Sequence, residues 1–577
     1  MKPGDVLLEI GTEEIPSRFL SPMLETLKSK ATEDFNRLRI PFREMLVYAT
    51  PRRMALVVHS VAEKQEDLVA VFRGPAWNVA FDPLGNATRA GEGFAKGRGV
   101  GVPDLKEIDV GGVRYVAAEV REEGRPVLSI LPELLANLIG GLVFPKNMYW
   151  TNSGVRFARP VRWIVALAGA EVIPFTWGDI QSGRISSGHR FMGNREIPIP
   201  DVASYLDRLY DNCVILDQEK RKQKLLAGIA ALEREHNGVV ELDPELIEEN
   251  LYLVEYPVPF VGSFDERFLK IPEEVLVTSM KKNQKYFAVR NMEGRLTNFF
   301  VGVSNNRAVD MKVIRGGNER VLRARLEDAA FFWDEDLKTS LTSCVDRLKT
   351  VIYQEKLGSV HDKVIQTRKL AVWLCEELKL TELLPLVDRA AFLAKADLVT
   401  HMVYEFPELQ GVMGREYARA GGEDPRVALA LYEQYLPKSS SDEVPTDDVG
   451  AILGLAERIH IIVSCHRVGF EPTGSQDPYG LRRAARCVNE ILWGRKLDVD
   501  VEAAVQNSAF SGEADEALAG RVLSFMEQRL LMQIREKGYE HELARLAISV
   551  CGRRPLQVLR LMEALNSVKD ESWFGSL

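Results

Sequence analysis

The first 315 residues alternate between short apolar runs and stretches in which apolar positions recur at helical spacing. Val6–Ile10 and Met54–Val61 are apolar or β-branched runs that predict buried strands, and the spacing over Leu20–Leu38 predicts an amphipathic helix between them. Glycine and proline are frequent over 74–112, which favours short strands and long loops there. Two further apolar runs on either side of Gly169 predict a hairpin.

Strand and helix patterns continue to the end of this first region. A charged pair of helices is predicted between Asp201 and Asn237, and strands are predicted at Tyr252–Val261 and Tyr286–Val303. Strands and helices that are mixed along the chain are typical of an α+β fold. The sequence therefore predicts an α+β N-terminal half built from short strands and helices.

From Gly317 onward, apolar residues recur at helical period and few strand candidates remain. Helices are predicted near 318–355, 361–379, 382–404, 412–420, 424–435, 447–465, 478–493 and 513–537. The polar segment Lys438–Asp448 is the best linker candidate. The pattern predicts three regions, an α+β region over 1–315, an all-α domain over 316–505 and a helical segment over 506–577.

Composition and charge narrow the class of protein. The 577 residues are 46% hydrophobic and 27% charged, which is ordinary for a soluble globular protein, and no apolar run approaches the ~18–20 residues that a membrane span needs. The N-terminal MKPGDVLLEIG lacks the long apolar core of a signal peptide, and six cysteines without a CxxC pair favour reduced thiols in a cytoplasmic protein. A net charge of −9 argues against a uniformly basic surface, so no DNA partner is expected, but local basic faces can still bind a structured RNA.

Several long passages occur in an order that coincidence does not explain. They are LLEIGTEEIPSRFL (7–20), ATPRRMAL (49–56), FARPVRWIVAL (157–167), GHRF (188–191), VEYPVPFVGSFDERFLKIPEEVLVTSMKKNQKYF (254–287), GNERVLRARLEDAAFFWDED (317–336), KADLVTHMVYEFPELQGVMGREYA (395–418) and EPTGSQDPYGLRRAA (471–485). Through these passages the chain resembles the β subunit of bacterial heterotetrameric glycyl-tRNA synthetase. The resemblance covers almost the whole chain.

The resemblance implies a division of labour between two subunits. In that family the α subunit holds glycine, ATP and Mg, and the β subunit binds tRNA(Gly) in an α2β2 assembly without a cofactor or a catalytic residue of its own. The resemblance also implies a module like the B3/B4 module of phenylalanyl-tRNA synthetase in the first half and an HD-like domain in the second. Family members usually continue into a helical anticodon-binding domain, so we expect that domain to be missing here and the affinity for tRNA to be lower than in a full-length relative. In agreement, the chain contains no GxxxxGK[ST] loop and no HIGH-like or KMSKS-like signature.

The HD-like half raises a hydrolytic alternative. Active HD-type domains hold one or two metals with a His, an adjacent His-Asp pair and a later Asp, and the metals activate water for phosphoester hydrolysis. The matching positions here are His361, Lys395 with Asp397, and Glu457, a degenerate set in which a lysine stands where a cation should bind. Asp397 and His401 are expected four residues apart on one helix. We predict no metal in this domain, and the alternative function is a metal-dependent HD-type phosphohydrolase.

One basic cluster stands ahead of a predicted strand. Lys281, Lys282 and Lys285 could neutralise phosphate groups while Tyr286 stacks on an unpaired base. The alternative interpretation is a solvated helix end.

A second basic cluster is divided between two passages. Arg159 and Arg162 flank a proline, and His189 with Arg190 follows later in the chain, where the histidine could bind phosphate or ribose. Salt bridges inside an α+β domain are the alternative role for these arginines.

A third cluster contains Arg482, Arg483 and Arg486. We expect Asp477 to cap a helix whose first residue is Pro478, so that the three arginines lie in its first turns. That position suits a docked phosphate or an acidic patch of a neighbouring domain.

A fourth group of arginines has acidic residues at helical spacing. Its members are Arg315, Arg320, Arg323 and Arg325, with Glu319, Glu327 and Asp328 between and after them. This spacing favours a surface helix held by internal salt bridges.

Overall fold

The structure is a computed structural model that describes residues 4–307, 310–439, 442–474, 476–509 and 516–569. The chain forms two compact units, one of residues 1–264 with 280–322 and one of residues 265–279 with 323–577. The first unit mixes strands and helices, and the second is helical apart from one two-stranded ribbon. The predicted mixed first half and helical second half are confirmed, while the predicted boundaries at 315 and 505 stay predictions.

Twenty-four helices and strands precede the long helix at the middle of the described chain. In chain order they are β1 (Gly4–Thr12), α1 (Ser17–Arg37), β2 (Glu44–Thr50), β3 (Arg53–Val61), β4 (Leu68–Ala76), α2 (Trp77–Ala80), α3 (Arg89–Arg98), β5 (Leu105–Val110), β6 (Val113–Glu122), α4 (Leu131–Gly140), β7 (Val161–Ala168), β8 (Glu171–Val172), β9 (Thr176–Trp177), β10 (Ile180–Gly183), β11 (Ile185–Ser186), β12 (Ile197–Pro198), α5 (Tyr205–Asp211), α6 (Gln218–His236), β13 (Val239–Val240), α7 (Pro244–Leu251), β14 (Val258–Ser263), α8 (Glu273–Ser279), β15 (Phe287–Arg290) and β16 (Leu296–Ser304).

The main sheet of the first unit has the strand order β2-β3-β1-β7-β10-β9, with β8 paired to β7. Strand β1 lies antiparallel to both β3 and β7, and β7 lies parallel to β10. Alternate residues of β1, among them Leu8 and Ile10, pack in a core with residues of α1 and α4, while Leu7 packs in a second core with residues of α5. Because both faces are covered, β1 is apolar along its length rather than alternating. Strand β2 was not predicted from the sequence.

The glycine-rich stretch 74–112 contains the end of β4, helices α2 and α3 and the strand β5, and together β4, β5 and β6 form a three-stranded antiparallel sheet. Its order is β4-β6-β5, and the strands contain 9, 10 and 6 residues respectively. Gly111 and Gly112 form the turn between β5 and β6 with φ of 66° and 82°. The predicted short strands agree with the six-residue β5, whereas the ten-residue helix α3 was not predicted. The two glycines provide the positive φ that the hairpin turn requires.

A four-stranded sheet in the order β13-β15-β16-β14 follows in the first unit. Strands β15 and β16 form a hairpin, and β14 pairs with β16 in antiparallel register. Apolar residues of α6 and α7, including Leu225 and Leu246, pack in one core with Phe287 and Val301 of the hairpin.

The remaining elements begin with one long helix. They are α9 (Met311–Asp336), α10 (Leu341–Arg347), β17 (Ile352–Gln354), β18 (Gly358–Ser359), α11 (Val360–Glu377), α12 (Leu384–Leu393), α13 (His401–Glu405), α14 (Val412–Ala420), α15 (Pro425–Glu433), α16 (Asp448–Arg467), α17 (Leu481–Arg495), α18 (Val501–Ala509), α19 (Glu516–Glu536), α20 (His541–Cys551) and α21 (Pro555–Val568). The predicted helix over 318–355 is therefore two helices, and the one over 382–404 breaks where Lys395 takes a left-handed φ of 68°. The predicted helix start at Glu513 and residues 570–577 lie outside the described residues.

Helix α16 forms the centre of the second unit, where it packs against α11, α15 and α17. Among the described helices it is long and apolar enough to cross a membrane, although the sequence analysis found no apolar run of that length. However, 89% of its most apolar window is buried inside the protein. A helix that is apolar all round and buried all round is typical of the core of a large domain.

Candidate functional site

A buried set of charged groups lies in the first unit, where several of the sequence passages described above meet. The guanidinium of Arg53 lies 3.1 Å from the Glu9 carboxylate and 3.1 Å from the Glu255 carboxylate, and all three side chains are shielded from solvent. Thr50 donates a hydrogen bond to Glu255, and Ser186 donates one to Glu9. Burial alone would lower the pKa of Arg53, but the attraction of Glu255 and Glu9 is stronger and raises it.

Because both carboxylates are paired with arginine and three of their four oxygens accept hydrogen bonds, the set holds strands together rather than offering a reactive group. Trp163 of β7 also donates from its indole Nε1 to Glu9, at 2.8 Å. Arg52 donates to the Gly188 carbonyl at 3.1 Å, which ties the ATPRR passage to the GHRF passage. A buried charge network is favourable only when each member has a partner, as here. We therefore interpret this centre as the scaffold beneath a surface.

The structure brings the predicted Arg159, Arg162 and Arg190 together at one edge of that scaffold. Arg162 and Arg190 lie 2.9 and 2.7 Å from the two carboxylate oxygens of Glu13. Arg159 donates from Nε to the Glu14 carbonyl at 3.0 Å. Burial would raise the pKa of Glu13, but hydrogen bonds from Arg162 and Arg190 outweigh it and lower the pKa. Phosphate at this edge would therefore have to compete with Glu13 for both arginines.

His189 does not reach the surface as the sequence interpretation required. Its side chain is 1% exposed, and its Nδ1 accepts hydrogen bonds from the backbone N–H groups of Phe191 and Met192. The expectation that it binds phosphate or ribose does not fit this position, because the ring is enclosed by its own loop.

The lysine cluster ahead of β15 is also engaged within the protein. Lys281 forms an ion pair with Asp243, and Lys285 lies 2.9 Å from Glu249. Tyr286 is 4% exposed and its ring is stacked on Phe300, with the centroids 4.5 Å apart. The proposed stacking of Tyr286 on a base is therefore inconsistent with the structure, because its ring already has a partner in the core. Lys282 is exposed.

The third predicted cluster lies on α17, but the helix begins later than expected. Asp477 accepts hydrogen bonds from the backbone N–H groups of Leu481 and Arg482, at 2.8 and 2.9 Å, although the N-cap position itself is Gly480. The first helical residue is Leu481, not Pro478, because Gly480 precedes it in a left-handed conformation. Arg482 donates to the Gly474 carbonyl at 2.8 Å.

The other two arginines of this cluster differ in their surroundings. Arg486 pairs with Glu490 at 2.8 Å and with Glu536 at 2.6 Å, and Arg483 is exposed. Of the three cations, only Arg483 is therefore presented to solvent on the first turns of α17.

The HD-type positions converge in the second unit on a buried carboxylate between two ammonium groups. Glu457 of α16 accepts from Lys363 of α11 at 2.5 Å and lies 3.3 Å from the Nζ of Lys395. Each ammonium also lies against an aromatic ring, Lys363 at 4.5 Å from the centroid of Tyr353 and Lys395 at 3.8 Å from that of Tyr435. We call Glu457, Lys363 and Lys395 the lysine–glutamate cluster.

Burial and mutual attraction set the charges of this cluster. Burial would raise the pKa of Glu457, but Lys363 and Lys395 outweigh it, so the pKa falls well below its usual range. Burial lowers the pKa of Lys395 to about 8 although Glu457 acts in the opposite direction. The carboxylate is thus ionised and neutralised by protein cations. A divalent ion does not fit here because an ammonium occupies each side of the only carboxylate in the cluster.

The remaining HD-type residues do not complete a metal site. The prediction that Asp397 and His401 lie on one helix is wrong, because the chain turns between them. The Asp397 carboxylate accepts from the N–H groups of Gly411 and Gly414, at 2.6 and 3.1 Å, whereas His401 lies 2.8 Å from Asp336. His361 lies in the first turn of α11. Within the described ranges no group of three or more His, Cys, Asp or Glu residues could hold a metal.

Two features of these sites were missed by sequence reasoning. Lys363 was not singled out, although it lies two residues after His361 in a helix whose other face is apolar. The Glu9–Arg53–Glu255 network was also missed. Its signal was present in the sequence as a carboxylate inside the apolar run of β1, because a buried charge needs a partner.

Comparison with known proteins agrees with the resemblance. The family model described as the glycyl-tRNA synthetase beta subunit matches residues 6–549. The glycine–tRNA ligase beta subunit of Moorella thermoacetica is 40% identical, over 99% of this chain and 84% of the relative. Those of Bacillus subtilis and Geobacter sulfurreducens are 41% and 44% identical, over 98% and 90% of this chain and 82% and 74% of their own lengths. The chain belongs to the family of glycyl-tRNA synthetase beta subunits.

Proposed function

We propose that this glycine–tRNA ligase beta subunit binds tRNA(Gly) and positions its 3′ end for a reaction that takes place on a separate α subunit. In this proposal the two subunits form an α2β2 assembly in the cytoplasm. ATP and Mg are used by the α subunit, and this chain carries no cofactor. Its contribution is to orient a bound substrate, which can supply several kcal/mol of barrier reduction without a reacting side chain.

The observation that carries the proposal is the lysine–glutamate cluster. At the positions compared with HD-type domains, Lys363 and Lys395 neutralise Glu457, where an active domain of that type would bind its metal. A helical domain whose buried carboxylate is closed by two ammonium groups is suited to binding and assembly. The first unit supports the same role, because its buried charges are paired within the scaffold. We propose that it contains a B3/B4-like module used for RNA binding.

Two measurements on purified proteins test this division of labour. Glycine-dependent exchange of pyrophosphate into ATP should follow the α subunit and be absent from this chain alone. This chain should retain a tRNA(Gly) transcript on a filter, with an affinity that falls linearly on a log–log plot against salt. Exchange activity in this chain alone, or no retention of tRNA at low salt, would contradict the proposal.

The comparisons give no support to the alternative of a metal-dependent phosphohydrolase. It would require bound metal in the purified protein and a phosphodiesterase activity that His361→Ala abolishes.

A further inference from the structure

The N-terminal part of α9 carries a concentration of positive charge. Over Met311–Leu326 the helix contains five basic residues and one acidic residue, Glu319. Its last ten residues contain acidic side chains and no lysine or arginine. The basic members are Lys312, Arg315, Arg320, Arg323 and Arg325, and all five are exposed.

Two of the three acidic neighbours that should neutralise these arginines are engaged elsewhere, and the third, Asp328, forms no ion pair with them in the described part of the chain. Glu319 accepts hydrogen bonds from the backbone N–H and the hydroxyl of Ser263, at 2.9 and 3.2 Å. Glu327 pairs with Arg267 at 3.0 Å. Across the described ranges, none of the five basic side chains forms an ion pair or a side-chain hydrogen bond. The expectation of a helix held by internal salt bridges is therefore wrong.

By contrast, most cations in the basic clusters first considered for RNA binding are already paired within the protein. Five cations of those clusters have a carboxylate partner within the protein, namely Lys281, Lys285, Arg162, Arg190 and Arg486. An arginine that already has such a partner gains less from a phosphate, because it must first give up an equivalent interaction. An exposed guanidinium without a partner offers its full set of donors to a phosphate, often in bidentate geometry.

We propose that Arg315, Arg320, Arg323 and Arg325, here called the α9 arginine group, bind the sugar–phosphate backbone of RNA. The proposal rests on the proposed function and locates tRNA contact on this helix. At 1.5 Å per residue the group extends over about 15 Å of one continuous helix, a length over which a nucleic-acid duplex presents several phosphates. No aromatic residue lies between Met311 and Leu326, so stacking on bases is not available. The contact is therefore independent of base sequence and strongly dependent on salt.

The test compares variants of the full chain by filter binding to a tRNA(Gly) transcript over a series of salt concentrations. Replacing all four arginines with glutamine preserves helix propensity and removes the charge. Each lost phosphate contact should reduce the slope of log affinity against log salt by about 0.7–0.9, so we expect a decrease of about 3 and a loss of affinity of more than tenfold. Replacing all four with lysine should largely retain the slope. A transcript of a different tRNA should be weakened by the same factor as tRNA(Gly).

A smaller pair of variants guards against misfolding. Arg320→Gln with Arg325→Gln should reduce the slope by about 1.5. The matched control, Arg37→Gln with Arg419→Gln, removes two surface arginines that pair with Asp34 and Glu416, and it should leave the slope unchanged. Equal slopes for the two double variants would overturn the inference.

The outcomes separate this inference from the proposed function. If the wild-type chain binds no tRNA, the proposed function fails. If the wild type binds tRNA and the four-glutamine variant binds with the same slope, the inference alone fails. The inference also fails if that variant binds tRNA normally but no longer co-purifies with the α subunit, because the arginines would then contact protein.

Discussion

Replacing Glu457 with glutamine is the sharpest test of the interpretation of the second unit. The substitution keeps the shape of the side chain and removes its charge. It leaves two buried ammonium groups, on Lys363 and Lys395, without the carboxylate that lies 2.5 and 3.3 Å from them. Breaking a buried ion pair by removing one partner typically costs about 3–5 kcal/mol.

Deprotonation limits how much each of the two lysines can contribute to this loss. A lysine can release its proton instead of remaining charged in the core. At pH 7, neutralising a lysine against its ordinary pKa of 10.5 costs about 5 kcal/mol. Because burial already lowers the pKa of Lys395 to about 8, loss of Glu457 should move it lower still. We expect Glu457→Gln to reduce the unfolding free energy of this unit by about 3–5 kcal/mol at pH 7.

The sign of the pH dependence follows from the same groups. Between the lowered pKa of Lys395 in the folded protein and its ordinary value of 10.5, the unfolded chain binds more protons than the folded one. Stability should therefore rise with pH up to about 10.5, from about 8 in the wild type and from a lower pH in the variant.

Hydrogen exchange followed by mass spectrometry suits a chain with two units, since peptides report each one separately. Peptides from α16 and α11 should lose protection in Glu457→Gln, while peptides from β1 and α1 serve as an internal reference. Asp346→Asn, which removes an exposed carboxylate paired with Lys349 at 2.7 Å, is the matched control and should cost less than about 1 kcal/mol. Equal small effects of the two substitutions, or stabilisation of the wild-type unit by added Mg²⁺ or Mn²⁺, would refute the reasoning.

Three further substitutions test other parts of the account. Arg53→Gln leaves the buried Glu9 without a cation and leaves Glu255 with only Arg52, at 3.5 Å. Denaturant titration should show the first unit destabilised by about 3–5 kcal/mol, and Arg53→Lys should recover only part of the loss. A loss below about 1 kcal/mol would contradict the network. Burial lowers the pKa of His460 from 6.5 to about 4. Because the unfolded chain therefore binds the proton first, stability should fall by about 3 kcal/mol as the pH drops from 6.5 to about 4. His460→Gln should remove that part of the pH dependence, and an unchanged profile would count against it. Gly411→Ala places a Cβ 2.5 Å from the ring of Tyr435 at a φ of 82°, whereas Gly422→Ala places one in open space at a φ of 79°. The thermal midpoint of Gly411→Ala should therefore fall further than that of Gly422→Ala. Equal shifts of the two midpoints would show that the ring of Tyr435 gives way.

Helix and strand positions were predictable where one periodic segment decides them. The prediction of a helix over 412–420 agrees with α14 residue for residue, because Gly411 and Pro407 mark the break before it. The predictions failed where distant contacts decide the backbone. Lys395 interrupts a periodic helix because its ammonium reaches Glu457, which lies 62 positions further along the chain.

The same limit applies to the candidate RNA contacts. Arg162 and Glu13 are 149 residues apart in sequence, and Lys281 and Asp243 are 38 apart, so neither pair could be anticipated from spacing. Conversely, Arg323 has Glu319 and Glu327 at helical spacing, yet both carboxylates bind other partners. Local spacing predicts which charges can meet on a helix, but the tertiary fold determines which of them are already satisfied.

In the proposed function, this chain holds tRNA while the bond forms on another subunit. Reconstitution measures it directly, with glycyl-tRNA formation followed for the α subunit alone, this chain alone and the two together. Efficient charging by the mixture, with little from α and none from this chain, is the expected result. Charging by this chain alone, or a rate with α that does not change when this chain is added, would contradict the account.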